Sequence, residues 1–144
     1  MRRSTPERFA LVRILREDRQ SKTFLANDNL LDREKVIVRI IRKDHVQVDR
    51  EKLIEHFSWL IGVQHSQFAT VLDAGLTRKQ DLYYVREYVP NSELFSIDPL
   101  VATRFLISAV DFLSRHRRAH GAIRPSNIFI ATDTFKLTDA RFSR

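Results

Sequence analysis

The chain has no cysteine, three glycines, four prolines, one methionine and one tryptophan among its 144 residues. Without cysteine there is neither a disulfide nor a thiolate metal site. So few glycines and prolines argue against a long flexible linker. The longest uncharged run, Phe57 to Leu72, is interrupted by Gln64, His65, Ser66 and Gln67, and no apolar span of roughly 18 residues exists that could cross a bilayer. The opening Met1-Arg2-Arg3-Ser4-Thr5-Pro6 is basic but leads into no apolar signal-peptide core. These absences predict a soluble, cytoplasmic chain with no membrane contact.

Hydrophobic residues make up 43% of the chain and charged residues 30%, which is enough apolar surface for one globular domain and too much for a disordered one. The formal net charge is +7. Its densest cluster, Arg115-His116-Arg117-Arg118, falls at the end of an expected helix, where cations complement the helix dipole. No aromatic residues interleave with these arginines as a base-stacking surface requires. Nucleic acid is therefore not the expected partner, and a basic nucleic-acid-binding domain ranks last among the functional readings.

Short apolar runs bounded by turn formers predict strands over Phe9–Arg16, Thr23–Ala26, Val36–Ile41, Ala69–Leu72 and Leu82–Val85. The third is β-branched almost throughout and is the firmest of them. Glu17-Asp18-Arg19-Gln20 reads as the turn between the first two strands. From Asp49, an available N-cap, the period changes: Leu53, Phe57, Leu60 and Ile61 recur at helical spacing. A second helix, over residues 98–118, begins with Asp98 as N-cap and Pro99 at the first helical position. It places Ala102, Phe105, Leu106, Ala109 and Leu113 on one face. Ile128-Phe129-Ile130 and Phe135-Lys136-Leu137 form a last hairpin. The fold class is α+β, with a composition break near Pro90.

Four motifs follow in order along this frame: Val36-Ile37-Val38-Arg39, Arg86-Glu87-Tyr88-Val89, His120-Gly121-Ala122-Ile123-Arg124-Pro125-Ser126-Asn127, and Lys136-Leu137-Thr138-Asp139. Together they resemble V-A-I-K, the hinge, H-R-D-x-x-x-x-N and the D-F-G region of eukaryotic-type serine/threonine protein kinases. The resemblance covers Phe9 to Arg144. It implies an antiparallel five-stranded small lobe with one helix, followed by the start of a helical large lobe. Residues 1–8 would be a basic tail, 9–89 the small lobe and hinge, and 90–144 a partial large lobe that stops just after the D-F-G position.

Position by position, the resemblance also exposes departures. The three glycines of the family's phosphate-covering loop match Arg16, Asp18 and Ser21, and Asp18 would repel a phosphate. Arg39 stands for the phosphate-binding lysine, and it is longer and planar. Ile37 stands for a small alanine above the adenine, and Phe129 adds bulk below it. The helix glutamate that orients the lysine matches His56, with Glu55 one place earlier and about 100° round the helix. Arg86 occupies the gatekeeper position, from which it would leave the cleft or pair within it. Glu87 and Val89 could still present backbone groups to an adenine.

In the catalytic loop the proton-accepting aspartate is Ala122, and the nearby lysine is Arg124. Asn127 and Asp139 remain at the two positions that hold Mg²⁺ in the family. The resemblance thus implies a degenerate, catalytically inactive pseudokinase-like domain. No cofactor is expected, although ATP and Mg²⁺ at Arg39, Glu87, Val89, Asn127 and Asp139 define the alternative, an atypical ATP-binding kinase. A protein partner or a downstream domain of a larger protein is expected, or a homodimer through the exposed face of helix 98–118.

Overall fold

A computed structural model of the chain describes residues 8–32, 34–42, 50–63, 65–89, 98–121, 123, 127–131 and 134–138. Three strands open it: β1 (Phe9–Glu17), β2 (Ser21–Asp28) and β3 (Glu34–Ile41). A helix, α1 (Arg50–Ile61), and strands β4 (Val71–Leu76) and β5 (Leu82–Glu87) complete the first of two compact units. The five strands form one antiparallel sheet in the order β1-β2-β3-β5-β4. The β-branched run sits at its centre, where both neighbours satisfy its backbone groups.

Residues directly opposite one another in an antiparallel pair share a face. Register therefore sorts the sheet into two surfaces. On one lie Val36, Val38 and Ile40 of β3, with Phe24 and Ala26 of β2 and Tyr83 and Val85 of β5. These pack with Phe9 and Leu72 into a single apolar cluster. On the other lie Ile37 and Arg39, flanked by Leu25 and Thr23 and by Arg86 and Tyr84. Helix α1 covers this second face through buried Leu53, Phe57 and Leu60, with the Phe57 ring stacked 4.5 Å from that of Tyr84. Ile61, expected on the buried face, is exposed. Asp49 lies outside the described residues.

One ion pair closes the start of the sheet. Arg8 Nε and Nη2 donate to Asp28 Oδ1 and Oδ2 at 2.9 and 2.8 Å, and the guanidinium lies 4.8 Å over the Phe9 ring. Asp28 is fully buried and also accepts from the Leu30 amide. Arg8 was expected in a basic tail; its side chain instead belongs to the sheet. Strand β4 likewise runs beyond its expected end at Leu72. Asp73 is buried inside it, accepting from the Tyr83 hydroxyl and the Ala74 amide, so a residue that normally breaks strands is satisfied within one.

The second unit comprises residues 64–69 and 89–144. Its helix, α2 (Pro99–Arg115), starts as expected, with Asp98 Oδ1 accepting from the Leu100 amide at 2.8 Å. Ala109 and Leu113 are buried, and Ala102, Phe105 and Leu106 half-buried. The helix ends before the expected residue 118. Arg117 adopts a φ of 56°, and the amides of Arg118 and Arg117 bond the carbonyls of Leu113 and Ser114. That pairing is a Schellman stop with arginine in the place glycine usually takes. Strands β6 (Ile128–Ala131) and β7 (Thr134–Leu137) form the final hairpin. Leu137 is tied to the 64–69 segment by bonds from its amide to Gln67 O and from the Ala69 amide to its carbonyl.

Candidate functional site

The β1–β2 turn is where a phosphate-covering loop was sought. Gln20 and Ser21 both donate their amides to one oxygen, Asp18 Oδ1, at 2.7 and 2.8 Å, while the Asp18 amide donates to Ser21 O. Burial pushes the Asp18 carboxyl up, but the two amides and the charges of Arg39 and Arg16 outweigh it, and the group sits below its ordinary value. The expected tight turn is present. Its carboxylate does more than repel an anion: it holds the amides an anion would use.

Arg39 projects from the centre of β3 on the face covered by α1. Its Nε donates to Ser21 Oγ at 3.2 Å. Among the described residues no carboxylate of α1 pairs with it, and Glu55 is exposed. The one-residue offset seen in the sequence therefore has its expected consequence: the acid is turned away.

Directly opposite Ile37 lies Arg86, only 5% exposed. Burial, then the charge of Arg39, lower its pKa to about 10, with Glu87 acting against them. The guanidinium thus stays cationic at neutral pH in a place that disfavours it. Of the two orientations open to Arg86, the structure has the inward one. Its Nη1 donates to the carbonyl of Glu87 at 3.2 Å, while the Glu87 amide donates to Thr70 O. Ile37 is also buried. The second hinge residue expected to present backbone groups, Val89, is buried in the other unit.

In that unit the two described ends of the expected catalytic loop, His120 and Asn127, are both bonded to Thr138. His120, 3% exposed, donates from Nε2 to the Thr138 carbonyl at 2.8 Å; a carbonyl can only accept, so the proton is on Nε2. The Thr138 amide and hydroxyl in turn donate to Asn127 O at 2.9 and 3.3 Å. Asn127 is itself buried. Ala122, Arg124 and Asp139 lie outside the described residues. What is visible braces the backbone on either side of the expected metal positions.

Do these residues fit ATP? The amide donors of the turn are bound to Asp18, and the hinge carbonyl of Glu87 is bound to Arg86. In the first unit, then, the chain's own side chains already bond groups at both of these places. Sequence reasoning named Arg39, Glu87, Val89 and Asn127 as candidates and left an inward Arg86 open, but it missed that Asp18 would bind the turn amides. The one available signal was that both are charged residues in positions where the family needs small or neutral ones.

No family model matches the chain. Over 148 aligned residues it is 26% identical to the serine/threonine-protein kinase PrkC of Bacillus subtilis, an alignment covering 92% of this chain and 22% of that protein. The chain thus spans about a fifth of the length of that curated relative. Among solved structures it is similar to the PknI kinase domain of Mycobacterium tuberculosis, with a TM-score of 0.78 at 15% identity over 95% of this chain and 61% of that one. A double mutant of the same domain matches at a TM-score of 0.79 and 14% identity, over 95% and 62%. The architecture is a protein kinase-like fold, and its five-stranded sheet with one helix is that of a kinase small lobe.

Proposed function

We propose that this protein kinase-like domain is a non-catalytic binding or regulatory module, in which the kinase frame is kept and phosphoryl transfer is not. One observation carries the reading: Arg39, at the position of the phosphate-binding lysine, bonds Ser21 Oγ and has no carboxylate of α1 beside it among the described residues. In active kinases that cation must be paired with a helix glutamate before the phosphates can be positioned. A cation turned to Ser21 and not held by a helix carboxylate lacks the orientation that phosphoryl transfer asks for, because positioning is most of what that reaction needs from the protein.

Ala122 supports the same reading from the sequence, since a methyl group accepts no proton. The partner is a protein, or another domain of a longer polypeptide, that recognises the frame. PrkC is by name a serine/threonine kinase, and the similarity to it supports the ancestry of the frame more than the survival of the activity. The reading predicts that Ala122→Asp alone produces no phosphate transfer to a generic protein substrate in the presence of ATP and Mg²⁺. Radiolabel incorporation by that single variant, above the level of the unaltered chain, would show that only the base was missing.

A further inference from the structure

The sheet face that carries Arg39 holds an anion and a donor of its own at the two places where a nucleotide would bring them. At the turn, Asp18 Oδ1 accepts from the amides of Gln20 and Ser21 at 2.7 and 2.8 Å, with Arg39 and Arg16 close enough to stabilise its charge. Two convergent amides and a nearby cation are what an oxyanion receptor is made of. At the far end of the same face, Arg86 Nη1 donates to Glu87 O at 3.2 Å, occupying one lone pair of the carbonyl that an adenine amine would use.

We infer that this face is self-liganded: Asp18 stands in for a phosphate and Arg86 for the amine of a purine, so the unit is held in its filled form without nucleotide. The inference rests on the reading above, that the cleft is not a nucleotide site, and it names the two residues that close it. An internal ligand acts at high effective concentration and loses little freedom on binding. A diffusing phosphate would have to displace the Asp18 carboxylate from both amides and then sit beside it. The two ends lie on different elements, the β1–β2 turn and the end of β5, so each opens separately.

The test uses calorimetry with inorganic tripolyphosphate for one end and adenosine for the other. The unaltered chain is expected to bind neither at millimolar concentration. Asp18→Ala frees the amides and should bind tripolyphosphate at least about tenfold more tightly, and adding Arg39→Ala should remove that gain. Asp18→Asn keeps both amide bonds without the charge, so its gain should be smaller; it replaces the alanine variant if that one does not fold. Arg86→Thr should gain adenosine binding alone, and more weakly, because Ile37 still lines the slot.

A folded Asp18 variant with lowered stability and no gain for tripolyphosphate would make Asp18 a turn residue only, and the phosphate half of the inference would be wrong. A folded Arg86→Thr chain indifferent to adenosine would overturn the other half. Both outcomes leave the proposed function standing if the unaltered chain ignores ATP. Tight ATP binding by the unaltered chain would overturn that reading and the inference together.

Discussion

The two units differ in what their inward polar side chains hold. In the second, they brace backbone of the same unit: His120 on the Thr138 carbonyl and Thr138 on the Asn127 carbonyl. In the first, they hold groups at the turn and at the end of β5: Asp18 the turn amides and Arg86 the Glu87 carbonyl. A side chain that satisfies buried backbone is held in place by the cost of leaving that backbone unpaired. The contrast is between bonds that hold backbone within the second unit and bonds that hold the turn and the end of β5 in the first.

The single tryptophan, Trp59, lies on α1 in the first unit. Its fluorescence therefore reports that unit, while far-UV dichroism weighted by α2 reports the second as well. This allows the contrast to be probed unit by unit.

The largest expected effect is in the first unit. Asp28→Ala leaves Arg8 without its carboxylate. Breaking a buried ion pair commonly costs about 3–5 kcal/mol, but Arg8 is 28% exposed and partly recovers water. A loss of about 2–3 kcal/mol by urea denaturation at Trp59 is expected. The pH dependence has a definite sign. The hydrogen bond from Arg8 holds the Asp28 carboxyl below its ordinary 3.8, against the opposing effect of burial. Its stabilisation is whole above that value and is lost as pH falls through the lower folded pKa. The acid limb of the stability curve should therefore flatten in the variant.

Next comes His120→Ala, in the second unit. It removes the bond to the buried Thr138 carbonyl and leaves a void, at a cost of about 2 kcal/mol. The loss should appear in the dichroism transition and leave the Trp59 transition nearly unmoved. If His120 were instead a relic of catalysis with no bracing role, its removal would cost almost nothing, and the contrast between the units would fail.

The smallest effect has the opposite sign. Arg117 holds the left-handed position of the α2 stop, where a β-carbon costs about 1–2 kcal/mol. Arg117→Gly relieves that, offset in part because glycine gives the unfolded chain more conformational entropy. A net gain of about 0.5–1 kcal/mol is expected in the dichroism transition alone.

Most of the frame was legible in the sequence because period and punctuation are local properties. The β-branched run of β3, the helical recurrence of Leu53, Phe57 and Leu60, and the Asp98-Pro99 start of α2 all declare themselves within a few residues. What escaped depends on partners far along the chain. Arg8 looked like a tail because Asp28, its partner, is twenty residues away. Asp73 looked like the end of a strand because the Tyr83 hydroxyl that satisfies it lies on the neighbouring strand. Arg117 ended α2 early through backbone geometry that an arginine does not advertise. At the site, the identities of Asp18 and Arg86 were visible, but the direction of each side chain was set by backbone groups that only the folded turn and hinge bring within reach.

The central proposal is that the unaltered chain takes up no nucleotide, and a melting curve with ATP and Mg²⁺ tests it most directly. A ligand at a hundred times its dissociation constant stabilises the native state by about 2.7 kcal/mol, which in a domain of this size moves the melting temperature by several degrees. The account predicts no shift at millimolar ATP with Mg²⁺, read at Trp59. A saturable rise in the melting temperature of the unaltered chain, dependent on both ATP and Mg²⁺, would contradict it.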